Sequence, residues 1–328
     1  MSAYGEGSFD SSVPGKAPES IATLVFFGSG PVAAKSLELL AENFAIEAVV
    51  TKPQPPHHKE PFPVLVMAEQ LGLRVFTPDG KAALSELIAT KPFQSTLGVV
   101  IDYGFIINQD VIDSFPLGIV NSHFSLLPQW RGADPITFSI LSGQKQTGVS
   151  LMLIVAAMDE GPLLAQATYD MPEGITTPEL TNDLIELSNE ALKEILPIYM
   201  EGDAKPAPQA EVTMATDPTP SYSRKLTKDD GILDWSKPAV QLEREVRAYL
   251  GWPGSRATIA GKDVVITKAH VLESKIETQK LKVGEAFVHE KQLWIVTADG
   301  ILVVDSIKPA GKSEMPATAF LAGYSQNL

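Results

Sequence analysis

The 328-residue chain contains no cysteine. That excludes a disulfide scaffold, a thiolate nucleophile and every zinc site built on cysteine. Histidine is nearly as scarce, at five residues, so proton chemistry near neutral pH has few carriers to choose from. No apolar run approaches the roughly 18 residues that a bilayer requires. The first 20 residues are mostly polar, rich in Gly, Ser, Pro and acids, where a secretory signal would carry an apolar stretch. The expectation is a cytoplasmic protein away from membranes, with residues 1–20 as a flexible leader. Positive charge is also short, with 26 basic against 40 acidic residues and a net charge of −14. Residues 210–328 hold 15 of each sign, so the whole excess lies in the first two thirds. That speaks against a broad nucleic-acid platform but leaves room for a local basic face near the C-terminus. Apolar residues make up 44% of the chain, enough to bury a core.

Residues 21–201 alternate short apolar runs with helical patterns. Strands are expected at Ile21–Phe27, Ile46–Thr51, Arg74–Phe76, Leu97–Asp102, Gly118–Asn121, Val149–Val155 and Leu163–Tyr169, with helical stretches between most of them. Near-continuous apolar strands in a βαβα order imply an α/β fold. Its Rossmann-like, mainly parallel sheet would be covered by helices on both faces and bind ligands at the strands' carboxyl ends. Residues 176–200 read as one more helix, with Thr176 and Glu179 at capping-box spacing. Residues 202–223 are rich in Pro, Ala and Thr and read as a linker. From 224 to 328, a helix at Ala239–Tyr249 precedes five short strands separated by turns, the pattern of a small OB-like β-barrel.

Three features carry candidate chemistry. Gly28-x-Gly30-x-x-Ala33 follows a strand and opens a helix, as a dinucleotide fingerprint does. The acidic partner about 20 residues on is missing, however, since Thr51-Lys52 stands there, and a plain strand-to-helix turn accounts for the glycines. His57-His58 lies in a Pro-rich loop without other ligands at metal spacing, so no metal is expected. Asn121 and His123 are two apart at a strand end and can point to one side. Asp159 follows a later apolar strand, and parallel neighbouring strands would bring it beside His123. An amide donor, an imidazole and a carboxylate suit oxyanion stabilisation and proton transfer. A core-capping His–Asp pair with a solvated turn is the competing reading.

Further residues narrow the choice. Asn121-x-His123 runs into Ser125-Leu-Leu-Pro128, then Trp130-Arg-Gly132, Pro135-Ile136, Thr147-Gly-Val149 and Met158-Asp-x-Gly161. Tyr103-Gly104, Lys225-Leu226, Asp234-Trp235, Arg247-Ala248, Trp252-Pro253 and Pro309-Ala-Gly-Lys312 extend the pattern to about residue 325. In these motifs the chain resembles the folate-dependent formyltransferases, most of all the branch acting on aminoacylated initiator tRNA. The resemblance implies transfer of a formyl group from 10-formyltetrahydrofolate to the α-amino group of methionine on initiator tRNA, by a monomer that uses no metal. It puts Asn121, His123 and Asp159 in the catalytic positions. Folate would lie against Tyr103, Phe105, Ile106, Met158 and the Ser125, Leu126, Leu127 and Pro128 turn. For tRNA it points to Lys52, Lys59, Arg131, Arg224, Lys225, Arg244 and Arg247. An amino-sugar nucleotide acceptor, glycinamide ribonucleotide, a formyl-folate hydrolase and a catalytically silent binding module are the alternatives. The chain departs from the family pattern in a short Pro53–Pro63 loop, Gln129 for an Arg and Asn108 for a Pro.

Overall fold

The computed structural model of the protein describes residues 22–54, 60–212, 219–272 and 281–328. The leader, Lys59 and the His57-His58 pair lie outside them. The first half runs β1 (Thr23–Phe27), α1 (Pro31–Ala41), β2 (Ala45–Val50), α2 (Pro63–Gln70), β3 (Val75–Phe76), α3 (Gly80–Ala89), β4 (Gly98–Val100), α4 (Gln109–Asp113) and β5 (Ile119–His123). In β1, Leu24 to Phe27 are all buried, and each large side chain so withdrawn contributes about 1.5–3 kcal/mol. Alternation splits them between two cores. Leu24 and Phe26 pack with Leu37 and Leu40 of α1, whereas Val25 and Phe27 pack with Leu84 of α3 and Val111 of α4. A strand apolar on both faces requires this double cover.

The chain continues through β6 (Arg131–Gly132), α5 (Pro135–Ser142), β7 (Gln146–Leu153), β8 (Leu163–Asp170) and α6 (Thr177–Met200). The seven-stranded sheet has the order β3-β2-β1-β4-β5-β7-β8. Its first five strands are parallel, as expected, but β7 runs antiparallel to β5 and β8 antiparallel to β7, so the sheet is mixed. Thr176 caps α6, its amide and hydroxyl both donating to the Glu179 carboxylate at 2.9 and 2.6 Å.

The described parts of the segment expected to be a linker are paired. Ala207 and Leu163 exchange backbone hydrogen bonds of 2.9 and 2.8 Å. Beyond α7 (Gln209–Val212), β9 (Tyr222–Ser223) pairs in parallel with β6. Pro-rich chain is extended, and extended chain can pair along an edge.

The C-terminal part holds α8 (Ala239–Ala248), β10 (Ser255–Ile259), β11 (Lys262–Val271), β12 (Ala286–His289), β13 (Gln292–Val296), β14 (Ile301–Pro309), β15 (Met315–Pro316) and α9 (Ala317–Tyr324). Its strands form an antiparallel sheet ordered β10-β11-β14-β13-β12, with β15 on β14. The barrel expectation is therefore reduced to an antiparallel sheet, because β10 and β12 do not pair with each other among the described residues. Leu242, Val246, Ile266, Leu302 and Phe320 fill its core. The two parts also share apolar packing, since Leu226, Ala248 and Tyr249 belong to the core of the first.

Candidate active site

The side-chain period of β5 puts Asn121 and His123 on one side of the sheet. Asn121 stands in register with Val100 of β4 and Met152 of β7. It lines a cavity of about 280 Å³ together with the turn after β4 (Asp102 to Ile107) and the loop after β7 (Ile154 to Asp159). The route to Asp159 differs from the expected one. Because β5 and β7 are antiparallel, Asp159 sits in the loop joining β7 to β8, and that loop folds back to form a cavity wall.

His123 is buried, at 7% exposure, and is not part of the cavity wall. Its Nε2 lies 2.9 Å from the Trp130 carbonyl oxygen. A carbonyl only accepts, so Nε2 carries the hydrogen and Nδ1 is the nitrogen free to gain or lose a proton. Nδ1 stands 3.8 Å from Asp159 Oδ2, within reach of an ion pair but too far for a direct hydrogen bond. Asp159 Oδ2 instead accepts from the Gly132 amide at 2.7 Å. The Asp159 backbone is left-handed, with φ 54°, a conformation that aspartate visits more readily than most non-glycine residues.

Tyr103, Phe105, Ile106 and Met158 all line the cavity, with Ile106 and Met158 about two-thirds exposed (68% and 66%). Ser125, Leu126, Leu127 and Pro128 do not line this cavity; they are buried. Their turn spends its polar groups internally. Ser125 Oγ donates to the Gln129 carbonyl at 2.6 Å, and Ser150 Oγ donates to the Ser125 carbonyl at 2.7 Å while accepting from the Leu127 amide at 2.9 Å. The turn thus sets the course of the chain into Trp130, whose carbonyl holds His123.

A second cavity, of about 480 Å³, is lined by Ser29–Pro31, Lys52, Glu60–Pro63 and Asp102–Gly104, sharing Asp102, Tyr103 and Gly104 with the first. Asp102 was not anticipated from the sequence. Crowding by protein pushes its carboxyl up to about 6, assisted by Asp134 and opposed by Lys52, although the residue remains open to solvent at its surface. A side chain at Gly30, the N-cap of α1, would collide with this carboxylate. Asp102 therefore occupies the helix start where a dinucleotide fingerprint would receive phosphate. Gln209, also unanticipated, is buried against the Asp159 loop.

The basic residues divide by what already holds them. Arg131 is internal, with Nη1 3.2 Å from Glu160 and Nη2 donating to Gln209 at 2.8 Å. Arg247 donates to Glu243 and to the Ile175 carbonyl, and Arg224 forks onto Asp230, holding that carboxyl well below the usual carboxylate range. Lys225 is exposed. Arg244 lies against Gly143 in a cleft of about 840 Å³ between the two parts. Lys52 borders the second cavity with its ammonium 4.7 Å from the centre of the Phe105 ring. Among the described residues no group of three His, Asp or Glu side chains is arranged to hold a metal ion. No helix among them is long and apolar enough to cross a membrane.

Residues 23–196 match the family described as formyl transferase, and residues 225–325 match formyl transferase, C-terminal domain. The class of protein is thus a two-part formyl transferase. Methionyl-tRNA formyltransferase of Roseiflexus castenholzii is 36% identical over 309 residues, 92% of this chain and 95% of that protein. The Chloroflexus aurantiacus enzyme of the same name is 34% identical over 93% of this chain and 98% of its own. The chain belongs to the methionyl-tRNA formyltransferase family. Among solved structures, an N-formyltransferase from Helicobacter canadensis in complex with folinic acid and dTDP-3-aminofucose aligns at a TM-score of 0.64. It is 17% identical, and the alignment covers 88% of this chain and 100% of that one. HypX from Aquifex aeolicus in complex with tetrahydrofolic acid aligns at 0.61 with 19% identity, and this chain spans about half (48%) of it. Those likenesses are of fold.

Proposed function

We propose that this enzyme formylates the α-amino group of methionine on initiator tRNA in the cytoplasm, with 10-formyltetrahydrofolate as donor and Asn121, His123 and Asp159 as the catalytic residues. The observation that carries the site assignment is the meeting of Asn121, His123 and Asp159 beside one apolar-rimmed cavity at the carboxyl end of the sheet, with Nδ1 of the buried imidazole 3.8 Å from the carboxylate. Apolar and aromatic lining from Tyr103, Phe105, Ile106 and Met158 suits a heteroaromatic ring. When bound, the donor supplies a formyl group on a nitrogen that departs as an amine.

Asn121 offers its side-chain N–H to negative charge developing on the formyl oxygen, a contribution worth about 10²–10³ in rate where such donors have been removed. His123, held by Trp130 through Nε2, gives its Nδ1 proton to the departing nitrogen as the carbon–nitrogen bond breaks, and recovers one from Asp159 at the end of the turnover. Asp159 stabilises the charged form of His123, and proton transfer by a side chain so placed contributes about 10²–10⁴ in rate. Asp159, fixed by the Gly132 amide, accepts a proton from the attacking amine directly or through one water. For tRNA, Lys52, Lys225 and Arg244 are the cations offered to phosphate, and the antiparallel C-terminal sheet is read as OB-like.

The test is formylation of methionyl-tRNA by the purified chain alongside Asn121→Ala, His123→Ala and Asp159→Ala. Each variant should stay folded by circular dichroism and lose at least about 10²-fold in kcat. Normal turnover in His123→Ala removes the triad assignment. A substrate panel adding free methionine and amino-sugar nucleotides should yield product only with the charged tRNA, and faster formylation of a sugar nucleotide would reassign the acceptor.

A further inference from the structure

The segment between the two matched regions closes on the candidate site from both of its ends. At one end, Gln209 is 7% exposed and donates through Nε2 to the carbonyls of Asp159 and Gly161, at 2.8 and 3.0 Å. Its Oε1 accepts from Arg131 Nη2 at 2.8 Å, while Arg131 Nη1 stands 3.2 Å from Glu160 Oε1. One amide and one guanidinium therefore span Asp159, Glu160 and Gly161 together. At the other end, β9 pairs with β6, whose Gly132 amide holds the Asp159 carboxylate. Ser221 Oγ accepts from the Trp130 amide at 2.9 Å, and Ser223 Oγ donates at 3.3 Å to the Trp130 carbonyl, the group that also takes His123 Nε2.

We infer that Gln209 is a positioning residue for formyl transfer. Through the Asp159 and Gly161 carbonyls it sets where the Asp159 carboxylate stands relative to His123 Nδ1. The inference rests on the catalytic reading of His123 and Asp159 given above. Its physical basis is the backbone of the loop. Val155 to Met158 are exposed to solvent, and Asp159 turns the chain through a left-handed conformation, so little packing fixes the path of the loop. The Gln209 amide supplies the missing restraint at the Asp159 carbonyl, within the residue that carries the carboxylate. Without it the loop has freedom to rotate, and the carboxylate moves relative to the imidazole. Substrate can still enter, so the loss falls on the chemical step. The composition of the connector reads as a spacer; its buried amide makes it part of the active-site support.

The experiment compares full-length wild type, Gln209→Leu, Gln209→Glu, Asp159→Asn and Gln241→Leu. Gln241 donates to the Leu141 carbonyl at 3.4 Å across the two parts, away from the Asp159 loop, so its variant reports loss of an ordinary interdomain hydrogen bond. Gln209→Leu keeps the volume and removes all three bonds. Gln209→Glu keeps an acceptor for Arg131 but cannot, when ionised, donate to the loop. Both Gln209 variants should lose about 10- to 100-fold in kcat, with KM for 10-formyltetrahydrofolate and for methionyl-tRNA within about threefold of wild type. Gln241→Leu should keep the wild-type kcat. Wild-type kcat in Gln209→Leu or Gln209→Glu, while Asp159→Asn is slow, overturns the inference. So does a loss in Gln209 variants that appears in KM alone. Should Gln209→Leu fail to fold, Gln209→Glu decides. Wild-type turnover in Asp159→Asn defeats the triad reading itself, a separate result.

Discussion

Gly161 closes the Asp159 loop, and the space around it is occupied. A Cβ built there would overlap the Leu153 carbonyl oxygen, deep inside van der Waals distance. To restore contact, the Gly161 backbone and the carbonyl must part by roughly 1.5 Å. Both sides resist. The Leu153 amide donates to the Pro162 carbonyl at 3.0 Å, and the Gly161 carbonyl accepts from Gln209 at 3.0 Å. Gly161→Ala should therefore cost about 1–3 kcal/mol of stability, as overpacking does. Its larger effect should be on rate, because a displacement near 1 Å in a catalytic group costs about 10²-fold, or about 2.7 kcal/mol of activation free energy. The assay is initial-rate formylation of methionyl-tRNA with both substrates saturating, paired with thermal melting. Gly72→Ala is the control. Gly72 has φ +64° and nothing within 4 Å, so alanine there pays only conformational strain of about 1–2 kcal/mol and should leave kcat alone. A Gly161→Ala enzyme within threefold of the wild-type rate would refute the link between the tight loop and the carboxylate.

Asp102→Asn should change the pH dependence of stability. With its carboxyl raised from about 4 to about 6 in the fold, the native state binds more protons than the unfolded chain between those values, so stability falls as pH rises through that window. The variant lacks that fall. Its melting temperature relative to wild type should climb from pH 4 to pH 7, and a constant difference would contradict the shift. Binding of methionyl-tRNA should weaken steeply with salt, and Lys225→Ala or Arg244→Ala should each reduce the logarithmic slope by about one. Arg247→Ala should instead act through stability, since its guanidinium is bonded to Glu243 and the Ile175 carbonyl; a salt slope lowered by Arg247→Ala equally would show that it contacts phosphate.

The strands buried on both faces were legible because their apolar runs are continuous and bounded by Gly, Pro or polar turns. Asn121 and His123 were legible as a pair because a period of two is local. Strand direction was not local. Nothing in the residues of β7 distinguishes entering the sheet parallel from entering it antiparallel, and the path to Asp159 changed with it. The Ser125–Pro128 turn carries the family pattern, yet its side chains turn inward because backbone partners at Ser150 and Gln129 satisfy it. Asp102 and Gln209 escaped notice for a common reason. Each meets its partner 50 or more residues away in the chain, and an isolated Asp after a strand or Gln in a Pro-rich stretch carries no periodic signature. The second domain shows the converse: short strands and turns announce an antiparallel sheet, but closure depends on which edges meet.

The shared core has a consequence for synthesis. Leu226, Ala248 and Tyr249 fill space beside α6 and the first sheet, so a nascent chain that has just finished α6 has an unfilled apolar wall. It must wait for about 49 further residues, roughly 2–10 s of elongation at ordinary rates, before that wall is sealed. During that interval the apolar surface those three side chains cover stays exposed, and it would stay exposed in a fragment cut at residue 201.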